Sequence, residues 1–178
     1  NKIKTLPYKG KETEFLGYID IHSSSEILGM FRDGDEVEEI KKGGEAILIL
    51  DKTPFYAESG GQVGDTGYIK TNSGKFNVRD TVKIKKNVFG HVGILESGSL
   101  KCNEQVEVFI DEHRRNDIKR NHSVTHLLHK ALKIVLGDHV EQKGSLVDNL
   151  KTRFDFSHIK PISKEEIQQI ESIVNNEI

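Results

Sequence analysis

The stretch DEHRRNDIKRNHSVTHLLHKALKIVLG, Asp111–Gly137, decides the fold class. Within it the apolar residues recur with a helical period. Asp111 is a candidate N-cap and Gly137 a C-terminal stop. Leu127, Leu128, Ala131, Leu132, Ile134 and Val135 form a broad apolar face, so the helix is expected to pack into a core. His122, His126 and His129 follow at i, i+4 and i+7, a stripe beside that face. Such a stripe either holds a metal or marks the polar edge of a core. Zinc accepts imidazole nitrogen, and His-x-x-x-His sets two imidazoles one turn apart, although such a pair also arises incidentally. His122 and His129 lie almost two turns apart, roughly 10 Å, so the three do not converge on one ion. His129 therefore reads as an edge residue. No Glu follows His122, which removes the metalloprotease pattern His-Glu-x-x-His.

Upstream the pattern is different. Ala46–Leu50 is a strongly apolar strand after the Gly43–Gly44 turn signal. Residues 66–95 alternate short apolar runs with turns, and Asn72-Ser73-Gly74 reads as a hairpin loop. QVEVFID, residues 105–111, alternates as a further strand. Many short strands with frequent glycine favour a barrel or a sandwich. Downstream, TRFDFSH at 152–158 alternates as a strand, and Ser163 with Glu166 forms a capping box that opens a final helix. The expected fold is α+β. Residues 1–111 would form a glycine-rich β-barrel and residues 112–178 an α+β core carrying the His-x-x-x-His helix.

The 178 residues suffice for one large domain or two small ones. No apolar run approaches the roughly 20 residues that cross a bilayer, and the first residues lack the apolar core of a signal peptide. The chain begins at Asn1 rather than Met, so it is expected to be a piece of something longer. Its formal net charge is −2, so any nucleic-acid contact would come from a local patch. Cys102 is the single cysteine, which excludes an internal disulfide and makes a reducing, cytoplasmic location the default.

TPFYAESGGQVGDTG, Thr53–Gly67, carries glycines at 60, 61, 64 and 67 among polar residues. It is not a phosphate loop, since no Gly-Lys-Ser/Thr ends it, and no helical segment follows as a dinucleotide fingerprint requires. Two readings stay open: a tight turn between barrel strands, or a loop whose backbone N–H groups approach a ligand closely.

LDKTPFYAESGGQVGDTG resembles the segment that opens the editing region of the alanyl-tRNA synthetase family, in its bacterial form. RNHSVTHLLHKAL, HVEQKGSLV and RFDFSH resemble the zinc-binding editing core of that family. The free-standing alanyl-tRNA editing proteins share the histidine core and a shorter Gly-Gly-Gln segment; the threonyl-tRNA synthetase editing region shares only the core. The resemblance runs from about Phe15 to the end.

It implies hydrolysis of serine or glycine wrongly esterified to the acceptor end of tRNA(Ala), with neither a membrane nor DNA as partner. It implies zinc ligation by His122 and His126. It places Thr125 beside the editing pocket and Gln142 as a glutamine that recognises or processes the amino acid, both as catalytic candidates. It places Gly60, Gly61, Gln62, Asp65 and Thr66 in a glycine-rich loop facing that pocket. From residue chemistry alone, Gln142 also reads as a solvated loop residue and Thr125 as an ordinary helix residue. The family completes its zinc site with a Cys-x-x-x-His segment that is absent here, and Cys102, followed by Asn103, Glu104 and Gln105, does not replace it. A truncated core with an incomplete site for one Zn2+ is the expectation, and ATP chemistry would belong to a catalytic domain preceding Asn1. Two alternatives accompany this reading. One is a non-catalytic tRNA-binding module using HRRNDIKR and KIKK for phosphates. The other is an inactive fragment.

Overall fold

The structure is a computed structural model, and it describes residues 2–178. It is α+β and its described residues divide into two compact units, 2–59 with 64–112, and 60–63 with 113–178.

The first unit is built on six strands: β1 (His22–Arg32), β2 (Ala46–Leu50), β3 (Gly67–Lys70), β4 (Gly74–Lys85), β5 (Val88–Lys101) and β6 (Gln105–Ile110). They pair in the order β6-β3-β4-β5-β2-β1, every pairing antiparallel, and β1 pairs back onto β6. The sheet thus closes on itself, and the short strands Asp35–Glu36 and Glu39–Lys41 pair onto β1 and β5. The expected strand at Ala46–Leu50 is present, and the loop expected at 72–74 lies one residue earlier, at 71–73, with Gly74 opening β4.

The period of two drives this arrangement. In β6, Val106, Val108 and Ile110 point inward while Gln105, Glu107 and Phe109 do not. The inner residues join Ile27, Met30, Leu48, Leu50, Phe55, Ile69, Phe76 and Leu95 in one core. One polar ring sits among them. His91 is fully buried, its Nδ1 at 2.9 Å from Leu48 O and its Nε2 at 2.8 Å from Thr53 Oγ1. A carbonyl only accepts, so Nδ1 carries the proton and Nε2 accepts from the threonine hydroxyl. Burial holds this ring's pKa down, to about 4, against the Leu48 carbonyl, which raises it.

The second unit has helix α1 (Glu112–Leu136), hairpin strands β7 (Gln142–Val147) and β8 (Thr152–Phe156), and helix α2 (Lys164–Glu177). The Ser163–Glu166 capping box is formed. Gly137, at φ +119°, ends α1 with its N–H on Lys133 O. Ala131, Leu132, Val140, Ile170 and Val174 make the core, with Leu127, Leu128, Val135, Phe154 and Phe156 packed around it. One expectation is corrected: Ile134 stands at the rim of the apolar face and is 61% exposed.

His91 generates a pH prediction. Its folded pKa lies below the value of about 6.5 that the unfolded chain has, so the unfolded state binds more protons between the two. The stabilisation is complete above about pH 6.5 and is lost as pH falls toward 4, up to about 3 kcal/mol in all. NMR titration should show the His91 ring neutral down to about pH 5, with unfolding midpoints falling over that window; a ring titrating near pH 6.5 contradicts the assignment.

Candidate functional site

The site residues in the second unit are set by the rotation of α1. Asn121 Nδ2 donates to Asp148 O at 2.8 Å, at the turn between β7 and β8. One turn later Thr125, which is buried, donates from Oγ1 to Asn121 O at 3.1 Å and makes a short contact with Thr152 Oγ1. A hydroxyl has one proton, so with Thr125 donating to Asn121, Thr152 donates into Thr125. A further turn on, the His129 ring packs at 5.0 Å on Phe154. Asn121, Thr125 and His129 therefore form the stripe that faces the hairpin. His129 was expected at the core edge; it is half-buried there, on Phe154 at the margin of the core, with Nε2 buried and unpaired.

The hairpin turn is braced from within. Asp148 Oδ1 accepts from Leu150 N at 2.7 Å and Lys151 N at 2.8 Å. The N–H groups of Lys151 and then Leu150 hold its carboxyl below the ordinary carboxylate range.

His122 and His126 occupy the next sector of the helix. Their Nε2 atoms face each other at 3.0 Å, with the rings 4.8 Å apart and nearly perpendicular. Two ligands at 2.0–2.1 Å from a tetrahedral zinc stand roughly 3.3 Å apart, so the pair fits one edge of such a site. The donor type fits as well, since neutral imidazole is a preferred zinc ligand. His122 Nδ1 is buried without a partner. Among the described residues no third His, Cys, Asp or Glu groups with the pair.

The glycine segment is split. Gly60–Val63 belongs to this second unit. Val147 N donates to Gly61 O at 2.8 Å, and Val63 N donates to Val147 O at 3.1 Å, so Gln62 bridges in parallel to the end of β7. Gly60 and Gly61 take φ values of +57° and +83°. A Cβ on Gly61 would lie 2.4 Å from Ser145 O, whereas one on Gly60 meets nothing within 4 Å. Asp65 and Thr66 belong to the first unit. There Asp65 is buried, its Oδ2 accepting from Tyr56 N at 2.8 Å and its carbonyl from Thr81 Oγ1 at 2.9 Å. Thr66 O accepts from Asp111 N at 2.7 Å.

Gln142 is not a loop residue. It opens β7 opposite Phe156, is exposed, and its amide has no partner among the described residues. Sequence reading missed Asn121, Thr152 and Asp148, whose roles depend on a turn meeting the helix. The available signal was the i, i+4 spacing of Asn121 and Thr125 beside the histidine pair.

The family model described as tRNA synthetases class II (A) matches residues 1–114. The chain is 51% identical over 98% of its length to the alanine--tRNA ligase of Delftia acidovorans. It is 53% identical over 97% of its length to that of Polynucleobacter asymbioticus, and 52% identical over 97% to that of Burkholderia lata. It spans about a fifth of the length of these relatives, 20% in each case. No helix among the described residues is long and apolar enough to cross a membrane.

The two glycines separate backbone strain from steric fit. Gly60→Ala should cost about 1 kcal/mol, the ordinary penalty of the left-handed region. Gly61→Ala adds a clash with backbone and should cost at least about 2 kcal/mol more, read as a lower thermal midpoint of the second unit. Equal effects of the two substitutions would contradict the docking of this segment on β7.

Proposed function

The chain belongs to the class II (A) tRNA synthetase family, and from that premise we propose that it is the editing part of an alanine--tRNA ligase, hydrolysing serine and glycine from tRNA(Ala). The observation that carries the reading is the facing pair His122 Nε2 and His126 Nε2. It stands in the same unit as Thr125, Gln142 and the docked Gly60–Val63 segment. The identity to alanine--tRNA ligases over nearly the whole chain supports it.

The chemistry has a physical need. A site that binds alanine rejects smaller glycine by only about 1–3 kcal/mol, and a small apolar pocket rejects an added hydroxyl only modestly, so a second, hydrolytic sieve is required. His122 and His126 would hold a zinc ion, with further donors from beyond this pair. When bound, such an ion polarises an ester carbonyl or lowers the pKa of a water toward 7.

The chain's own residues have distinct tasks. The Thr125 hydroxyl is engaged by Asn121 O and Thr152. It therefore acts as a positioning residue, fixing the turn of α1 that carries both histidines. Gln142 has a free amide, with two N–H donors and an acceptor oxygen. That amide suits the serine hydroxyl or an attacking water. Gly61 lets the backbone of 60–63 lie flat on Ser145 and Val147, which leaves Gln62 at the edge of the hairpin.

The test is deacylation by this chain with added zinc. Seryl-tRNA(Ala) should lose serine while alanyl-tRNA(Ala) persists. His126→Ala should lower the rate at least about 100-fold, in line with loss of a group acting on the reacting centre. Thr125→Val should change the rate about 10-fold or less, and Thr125→Ser should restore it. Equal hydrolysis of both esters, or full activity in His126→Ala, would overturn the reading.

A further inference from the structure

The outer face of the barrel carries a row that the editing chemistry does not use. Registered cross-strand partners place His22 on β1, Phe109 on β6, Tyr68 on β3 and Asn77 on β4 side by side. His22 stacks on Phe109 with centroids 4.5 Å apart at 28°, and Phe109 on Tyr68 at 4.9 Å and 25°. The residues beneath, Val108, Ile69 and Phe76, are fully buried, whereas His22 is exposed and Phe109, Tyr68 and Asn77 are half-buried.

The adjacent row is Ser24, Glu107, Lys70 and Lys75. Lys75 Nζ lies 5.0 Å from the Tyr68 ring centre, and Lys70 Nζ lies 5.4 Å from that of Phe109. Arg79 is exposed further along β4. A cleft of about 460 Å3 adjoins the rows, lined by Lys70, Asn72, Ser73, Glu104, Gln105 and Glu107 among others.

Cross-strand aromatic pairs alone serve sheet stability. This face holds more than pairing needs. It offers a stack of three rings, with ammonium groups over two of them and carboxylate and amide acceptors beside. Unpaired nucleotides have the complementary parts. A base extends an aromatic stack, a phosphate pairs with lysine, and a ribose 2′-hydroxyl donates to a carboxylate. Two of the acidic groups here are paired. Glu107 is held by His22 at 2.6 Å and Ser24 at 2.7 Å, and Glu96 by Lys75 at 3.4 Å.

We propose that the face built on Tyr68, Phe109 and His22, with Lys70 and Lys75, binds unpaired RNA nucleotides by stacking. Naming RNA rests on the tRNA reading above, while the platform itself lies in the barrel and needs neither metal nor an ester.

Fluorescence anisotropy with a labelled ten-nucleotide single-stranded RNA tests it. The chain should bind it with affinity falling roughly 5- to 20-fold between 50 and 200 mM salt, as two or three phosphate contacts require. Tyr68→Thr, which keeps a good strand former, should weaken binding tenfold or more. Lys70→Gln, a surface change that leaves the sheet intact, should reduce the salt dependence. His126→Ala should bind as the unaltered chain does. The oligonucleotide carries no amino acid, so binding without deacylation leaves this proposal standing, and deacylation without binding sinks it alone. Unchanged affinity in both Tyr68→Thr and Lys70→Gln, or equal affinity for an RNA duplex, would overturn it.

Discussion

The second unit depends on one constraint, the grip of α1 on the turn of the β7–β8 hairpin. Asn121 holds Asp148 O, Thr125 meets Thr152, and His129 lies on Phe154, at spacings of four residues. These contacts fix the helix about its own axis. A rotation of 100° per residue then fixes where His122 and His126 lie. Their facing nitrogens are thus a consequence of how the neighbouring residues are satisfied. Removing the Asn121 or Thr125 partner would leave buried polar groups unpaired, at about 1–3 kcal/mol each.

The barrel obeys a different rule. Its six antiparallel strands pair in a closed order, each with two of the others. That leaves the outer side of β1, β6, β3 and β4 for side chains chosen by something other than the core. The fully buried His91 ring is satisfied on both nitrogens, by Leu48 O and Thr53 Oγ1. A neutral, hydrogen-bonded ring is compatible with an apolar interior; a charged one is not.

Much of this was legible in the sequence. The change from period two to period 3.6 near residue 111, the strand at Ala46–Leu50, a turn within one residue of Asn72–Gly74 and the Ser163 capping box are local signals, and local signals survive in the fold. Pairing over long separations is not local. That Gly60–Val63 lies on β7, some 85 residues on, follows from hydrogen bonds to Val147 which no pattern in TPFYAESGGQVGDTG announces. For the same reason Asp65 read as part of the same loop as Gly61, though its carboxylate is engaged within the barrel. His129 read as an edge residue and is one, but the helix period alone does not say that its neighbour there is Phe154. The family resemblance pointed to His122, His126 and Thr125; the geometry adds why their positions are held.

The account turns on the histidine pair being held for a common ligand. Nitrogen-detected NMR of the imidazoles during zinc addition tests this most directly. The account predicts that Nε2 of His122 and Nε2 of His126 shift together, saturating at one zinc per chain, with His129 unmoved. A shift of one histidine alone, or of neither at millimolar zinc, would contradict it.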